Sequence, residues 1–403
     1  MTKTILLWGA TGFTGRLVAQ ELLTASQPNE RLIFGGRSDE RLRQLASDLG
    51  ADARAELRCA DALDEASMSR LLDDVGVVAT TVGPYRRYGW LLAKLCAERG
   101  IDYVDLCGET PFIRRSVDEL SEAAQRSGAR LVHACGFDSI PSDLGTLLLA
   151  HHCAAADRPL EQAMTTVRRL RGGLSGGTLA SMFGLIEDAV NDKSLRRVLG
   201  HPYSLNPADQ RHGADGSDRS DARYDEDHDR WTAPFIMAGI NTRVVRRSAA
   251  LLGYAAPGFR YDEAMACKSK RQAKTMALGT KLLTVGAALA PTRWLMRRYL
   301  PSPGQGPSPE QRASGCFELH IVGRTQGLTD EYGRVIVGAQ GDPGYSQTAV
   351  MLAQSARLLA EGSISAVGGV HTPASALGMA AIERLRSQGF RFEFQRRAGA
   401  RCH

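Results

Sequence analysis

The first residues spaced for chemistry are Gly9, Gly12 and Gly15, set in the run TILLWGATGFTG of residues 4 to 15. Backbone N–H groups can hold a phosphate, and glycine lets a backbone come close enough to do so. At a strand–turn–helix junction the first glycine permits a sharp turn, the second admits the phosphate, and the third lets helix and strand pack tightly. The spacing here is GxxGxxG rather than the common GxGxxG, but the flanks suit the role. A short apolar strand precedes the turn, and Phe13 to Leu23 repeats its apolar residues at helical spacing. The free N–H groups and dipole of that helix start favour the pyrophosphate of a dinucleotide, which gives Gly9, Thr11, Gly12, Phe13, Thr14 and Gly15 as binding residues. A glycine-rich turn without a ligand is the other reading of the same letters.

A second strand, RLIFGG at 31 to 36, ends in Arg37 and Ser38. An acid at that place would hold a ribose 2′-hydroxyl and repel a 2′-phosphate, whereas a guanidinium grips the phosphate through two charge-assisted hydrogen bonds. The cofactor this predicts is NADP(H). The alternative is that Arg37 is one solvated arginine among Arg41 and Arg43. Asp61, after a third strand, faces an adenine or closes a turn. The run TVGPY brings Val82, Gly83 and Pro84 to the carboxyl edge of the sheet, where ligands bind in such architectures.

A nicotinamide cofactor carries the hydride, so the protein must orient it, polarise the acceptor and supply a proton. The candidates near the sheet edge are Tyr85, Glu109, Cys135 and Asp138, with Tyr345 entering from further along the chain. Tyr85 can donate a hydrogen bond without burying a charge; Glu109 or Asp138 needs a raised pKa to donate a proton at neutral pH. Each also has a structural reading: Tyr85 packs under the nicotinamide, the two acids cap turns, and Cys135 is simply buried. His133 alternates into a strand as a core histidine. None of the ten tyrosines has lysine four positions later, so the tyrosine–lysine pair of short-chain dehydrogenases is missing.

The elements needed to position these groups follow from the pattern. Residues 1 to 145 alternate strand and helix, the mark of a doubly wound parallel sheet, and GVVATTV at 76 to 82 reads as a strand buried on both faces. From 146 to 370 longer strands and isolated helices predict an α+β substrate and dimerisation domain with a mixed sheet. Ser175 to Thr178 opens one of its helices as a second anion cradle or as a close-packing turn. Residues 206 to 230 hold seven aspartates and few apolar residues, and read as a mobile surface loop rather than a calcium site. Thr275 to Ala290 is strongly apolar, carries Lys281 and precedes Arg293, Arg297 and Arg298; it is a buried helix, a lid over a greasy substrate, or a surface anchor that brings 275 to 298 to a lipid surface. A last helix and tail, 371 to 403, is expected to pack back on the first domain.

With 403 residues and 43% apolar content the chain can fill two cores. A net charge of +6 with no dense basic run argues against nucleic acid. The eight cysteines show no CxxC pair and no metal-ligand spacing, as expected of reduced thiols in the cytoplasm, and no metal is expected. No signal peptide or membrane-spanning stretch is read.

The segments GATGFTG, GGR, TVGPY, DLCGE, CGFDSIPSDLG, LSGGTLAS, PGQGPSPEQR, GDPGY and GGVHTPASALG follow one another from residue 9 to residue 378. In them the chain resembles the saccharopine dehydrogenase-like oxidoreductases, and among these the trans-acting enoyl reductases. Gln305 and His371 depart from the family pattern. The resemblance implies an NADP-binding first domain, a second domain carrying much of the substrate site, and a homodimer. It implies hydride transfer to the β-carbon of an α,β-unsaturated thioester, on a carrier protein or coenzyme A. Imine reduction of an amino-acid adduct, or an NADP-binding protein without turnover, are the other activities the sequence leaves open.

Overall fold

The computed structural model describes residues 3–24, 30–172, 176–289, 291–292, 306–325 and 332–396. The alternation in the first third of the chain becomes a parallel sheet of β1 (Ile5–Trp8), β2 (Leu32–Gly36), β3 (Ala55–Cys59), β4 (Val77–Thr80), β5 (Asp102–Asp105) and β6 (Arg130–Val132). Between them run α1 (Phe13–Thr24), α2 (Asp39–Leu49), α3 (Glu65–Leu71), α4 (Tyr85–Tyr88), α5 (Trp90–Arg99) and α6 (Thr110–Ser127). The order is β3-β2-β1-β4-β5-β6, and every pairing is parallel. Strands covered by helices on both faces need apolar residues throughout, and Ile5, Leu6, Leu7 and Trp8 of β1 are all buried. Strand order reverses between β1 and β4, which opens a crevice beyond their carboxyl ends.

The chain then enters α7 (Ile140–Ala154) and builds a second, mixed sheet. Its elements are β7 (Leu160–Arg171), α8 (Gly176–Asn191), α9 (Lys193–Gly200), β8 (Arg223–Asp225), β9 (Arg230–Pro234), α10 (Ala238–Leu252), β10 (Ala255–Cys267), α11 (Lys270–Ala288), β11 (Cys316–Thr325) and β12 (Gly333–Gln340). Among the described residues of this sheet only β7 and β10 pair in parallel; β11 and β12 form the antiparallel pair expected of two long adjacent strands. The doubly wound sheet with a mixed second sheet is therefore the fold.

The end of the chain serves both sheets. Helix α12 (Thr348–Glu361) lies along α1, β4 and β5 of the first layer, and β13 (Gly369–His371) extends that sheet beside β6. Helix α13 (Pro373–Ser387) packs on α7 and α12, and β14 (Arg391–Arg396) joins β12 in the second sheet. Thr372 and Ser375 form a capping box at the start of α13, with Pro373 in its first turn.

The stretch 206–230, expected as a mobile surface loop, is instead pinned. Arg243 and Arg246 are buried on α10, and a buried guanidinium needs a carboxylate. Asp218 and Asp215 provide them at 2.6 Å each, while Asp227 pairs with Arg324 and Arg219 reaches back to Asp262 at 2.7 Å. Asp215 and Asp218 are the counter-charges of buried arginines that lie elsewhere in the sequence, while Asp221 and Asp225 pair within the stretch, with Arg223 and His228.

Candidate active site

The glycine turn has the geometry of a phosphate cradle. Gly9 sits at φ +89°, and a Cβ there would lie 2.6 Å from Val82 Cγ2 across the crevice. A Cβ on Gly15 would stand 2.0 Å from the Gly9 carbonyl oxygen, so only glycine lets α1 start this close to β1. Gly12 is looser: its Cβ would be 3.4 Å from that oxygen, with room facing the crevice. The first N–H groups of α1 lack intrahelical acceptors and point where an anion would sit. Thr11 lies beside Gly36 at the end of β2. Arg37 follows it, exposed and, among the described residues, without an acid partner; nearby Asp39 is neutralised by Arg43 at 2.6 Å. Ser38 is occupied as the N-cap of α2. Asp61 closes an Asx turn by accepting from Leu63 N at 3.0 Å. These residues fit a dinucleotide carrying a 2′-phosphate.

Val82 stands against Gly9, and Gly83 and Pro84 follow it in the loop between β4 and α4. The Phe13 ring meets the edge of the Tyr345 ring at 4.9 Å, so the loop before α12 closes on the phosphate turn. The Gly83–Pro84 bond is cis, and Thr81 binds back to Gly9 O through its hydroxyl at 3.2 Å.

Tyr85, expected as a donor to substrate, faces inward. Its hydroxyl donates to Thr80 O and accepts from Leu106 N, both at 3.1 Å. Burial first, then the nearby Asp105, holds its pKa well above the ordinary value. Glu109 is also engaged. One oxygen accepts from Tyr85 N at 2.8 Å and from Ser181 Oγ at 2.9 Å, and the other from Arg86 N at 3.1 Å. This carboxylate caps the start of α4 and ties it to α8. Arg86 adds a second tie to α8, through Asp188 at 2.8 Å. Ser181 and Arg86 were not singled out in the sequence, although Ser181 ends the motif LSGGTLAS. Ser175 of the suggested anion cradle, and the side chains of 176–180, lie outside the described residues.

Asp138 differs from these acids. It lies in the loop after β6, partly buried, with Oδ2 3.7 Å from where a Cβ on Gly108 would be. Among the described residues nothing donates a hydrogen bond or an ion pair to its carboxylate, and burial lifts its pKa to about 6. A carboxyl in that range can give up a proton near neutral pH.

The residues around Asp138 fasten the two layers together. Gly136 is wedged between Leu106 and Thr348. Ser139 donates to Asn241 at 3.1 Å, and Ser142 to the buried Glu263 at 3.0 Å. Asp143 accepts from Ala374 N at 2.8 Å and from Ser248. A Cβ on Gly145 would strike Ile321 at 2.4 Å, so α7 lies directly on the second sheet. Cys135 has a buried thiol against Val132 O, with its pKa pushed up by burial. His133 is a core residue held by Asp105 at 2.7 Å and Ser116 at 2.9 Å. His371 bonds Val367 O and Ser375, away from the crevice. Among the described residues no group of acids, histidines or cysteines could hold a metal ion, and no helix is long and apolar enough to cross a membrane.

Residues 5–132 match the model of the saccharopine dehydrogenase NADP-binding domain. The whole chain is similar to a Mycobacterium tuberculosis protein named as a trans-acting enoyl reductase, at 40% identity over 98% of both chains. A trans-acting enoyl reductase of Mycobacterium ulcerans is 37% identical over 96% of each. Among solved structures, apo saccharopine dehydrogenase (L-Glu forming) from Saccharomyces cerevisiae aligns over 98% of this chain and 100% of its own, with a TM-score of 0.49 at 11% identity.

Proposed function

This chain belongs to the trans-acting enoyl reductase family of NADP-dependent oxidoreductases, and from that premise we propose that it reduces the C=C bond of an enoyl thioester. The observation that carries the proposal beyond the family name is Asp138: an otherwise unengaged carboxyl at the sheet edge, raised to about 6. NADPH, when bound, supplies the hydride. The protein holds it through the Gly9–Gly15 turn and Arg37, and Val82 to Pro84 border the crevice. Asp138 in its acid form gives the proton that the α-carbon needs. Glu109 is a latch: with Ser181 and Arg86 it keeps α8 against the loop that starts α4. The neutral loops TVGPY and LSGGTLAS suit an acyl group better than an amino acid with several fixed charges. The reading extends to a homodimer through the second sheet and to a substrate carried on coenzyme A or a carrier protein.

The test is NADPH consumption, followed by absorbance, on adding crotonyl and long-chain enoyl thioesters to the purified protein. Turnover with the thioesters is expected, faster with one chain length than the other. Turnover only with an amino acid plus a keto acid would replace the assignment with imine reduction, and NADPH binding without turnover on either would remove the catalytic reading.

A further inference from the structure

Helix α11 is amphipathic the wrong way round. Its buried residues are small, Ala273, Ala277 and Ala287, while Leu278, Leu282, Val285 and, at its end, Leu289 are 58, 64, 59 and 55% exposed. At about 100° per residue these four fall within an arc of about 60°. Isolated exposed leucines need no explanation, but four in one stripe do.

Charge says what the stripe is for. From 264 to 309 the sequence has eight lysines and arginines and no aspartate or glutamate. On α11 itself Arg271 and Lys274 continue the apolar stripe towards the N-terminus and Lys281 flanks it; all three are exposed. A second copy docked face to face would set these cations against one another. An anionic partner would not. We infer that α11 is a peripheral docking helix for an anionic lipid surface, with Leu278, Leu282, Val285 and Leu289 entering the headgroup boundary and the cations meeting lipid phosphates.

The docked face lies one helix from the candidate site, because α11 packs on α8 and α8 carries Ser181. That consequence rests on the acyl-substrate reading: it sets the enzyme where long acyl chains partition. The docking does not rest on it.

Flotation of the full chain on a density gradient, with vesicles of phosphatidylcholine alone or mixed with phosphatidylglycerol, tests the inference without any turnover. The unaltered chain should float with the anionic vesicles only, and high salt should release it. Leu282→Glu with Val285→Glu should abolish flotation, and Lys281→Gln should weaken partitioning by about fivefold. NADPH titration should be unchanged in all three proteins, showing that they fold. Absence of flotation with anionic vesicles, or flotation indifferent to the double variant, overturns the inference. So does a halving of mass in light scattering on the double substitution, which would make the face a subunit interface. Capture of an acidic acyl-carrier domain through Leu282, without flotation, would assign the face to a protein instead.

Discussion

Arg37→Ala should raise the dissociation constant for NADPH by about ten- to hundredfold, the worth of a charge-assisted pair of about 1.5–3 kcal/mol. NADH should bind the variant much as before, so fluorescence titration with both separates the readings; equal losses would show that Arg37 does not read the 2′-phosphate. Asp138→Asn should lower kcat by about a hundredfold or more while leaving the NADPH titration intact. Its acid form is the working one, so the rate should be highest below about pH 6 and fall as pH rises through that value. The variant's residual rate should lack this limb, and an unimpaired variant would dismiss Asp138. The glycine turn and the place of Arg37 just after β2 were legible in sequence because a turn and the end of a strand are local facts. Tyr85 misled because residue type gives no direction: its hydroxyl turns to Thr80 and Leu106 rather than to the crevice. Ser181 stayed hidden because it meets Glu109 from 72 positions away.

Gly15 and Gly12 separate packing from binding within one turn. Gly15→Ala would push a methyl into the Gly9 carbonyl at 2.0 Å, a backbone contact that cannot relax without opening the turn. Its urea-unfolding free energy should fall by about 1–3 kcal/mol or more. Gly12→Ala, with 3.4 Å to the same oxygen, should keep stability and lose NADPH affinity, because its methyl stands where the phosphate comes closest. If both variants lost stability alike, the turn would be only a packing motif. Periodicity gave a helix where one face is apolar, as in α1. It failed for 206–230, whose order is imposed by Arg243 and Arg246 on a helix that follows it. It also left α11 undecided, because apolar spacing cannot say which face is turned inward.

At the scale of the whole molecule, Glu263 joins the layers and makes them sensitive to pH. It is fully buried on β10 and accepts from Ser142 and Asn241, while among the described residues its other oxygen has no partner. Burial raises its pKa from 4.5 to about 7. A folded-state pKa above the unfolded one means that the group's contribution is complete below about pH 4.5 and is lost as pH rises through about 7. Asp143, raised to about 7 by burial, acts in the same direction. Urea unfolding of the unaltered chain should therefore show stability falling between about pH 4.5 and pH 7 and levelling above, and Glu263→Gln should remove about 3 kcal/mol of that fall. An unchanged slope in the variant would place the pH dependence elsewhere. The two-sheet plan was legible from the change of rhythm after residue 145, and a packing of 371–403 on the first domain was expected; the first sheet's debt to β13 for its edge strand was not, since β13 is three residues long and looks like a linker. That debt sets an order of assembly. A ribosome making this chain releases β6 with an open edge and α1 without its neighbour, because Arg357, which pairs with Glu30 at 3.1 Å, and Gly369–His371 are still unmade. The nucleotide-binding layer, first to be translated, is among the last to be finished.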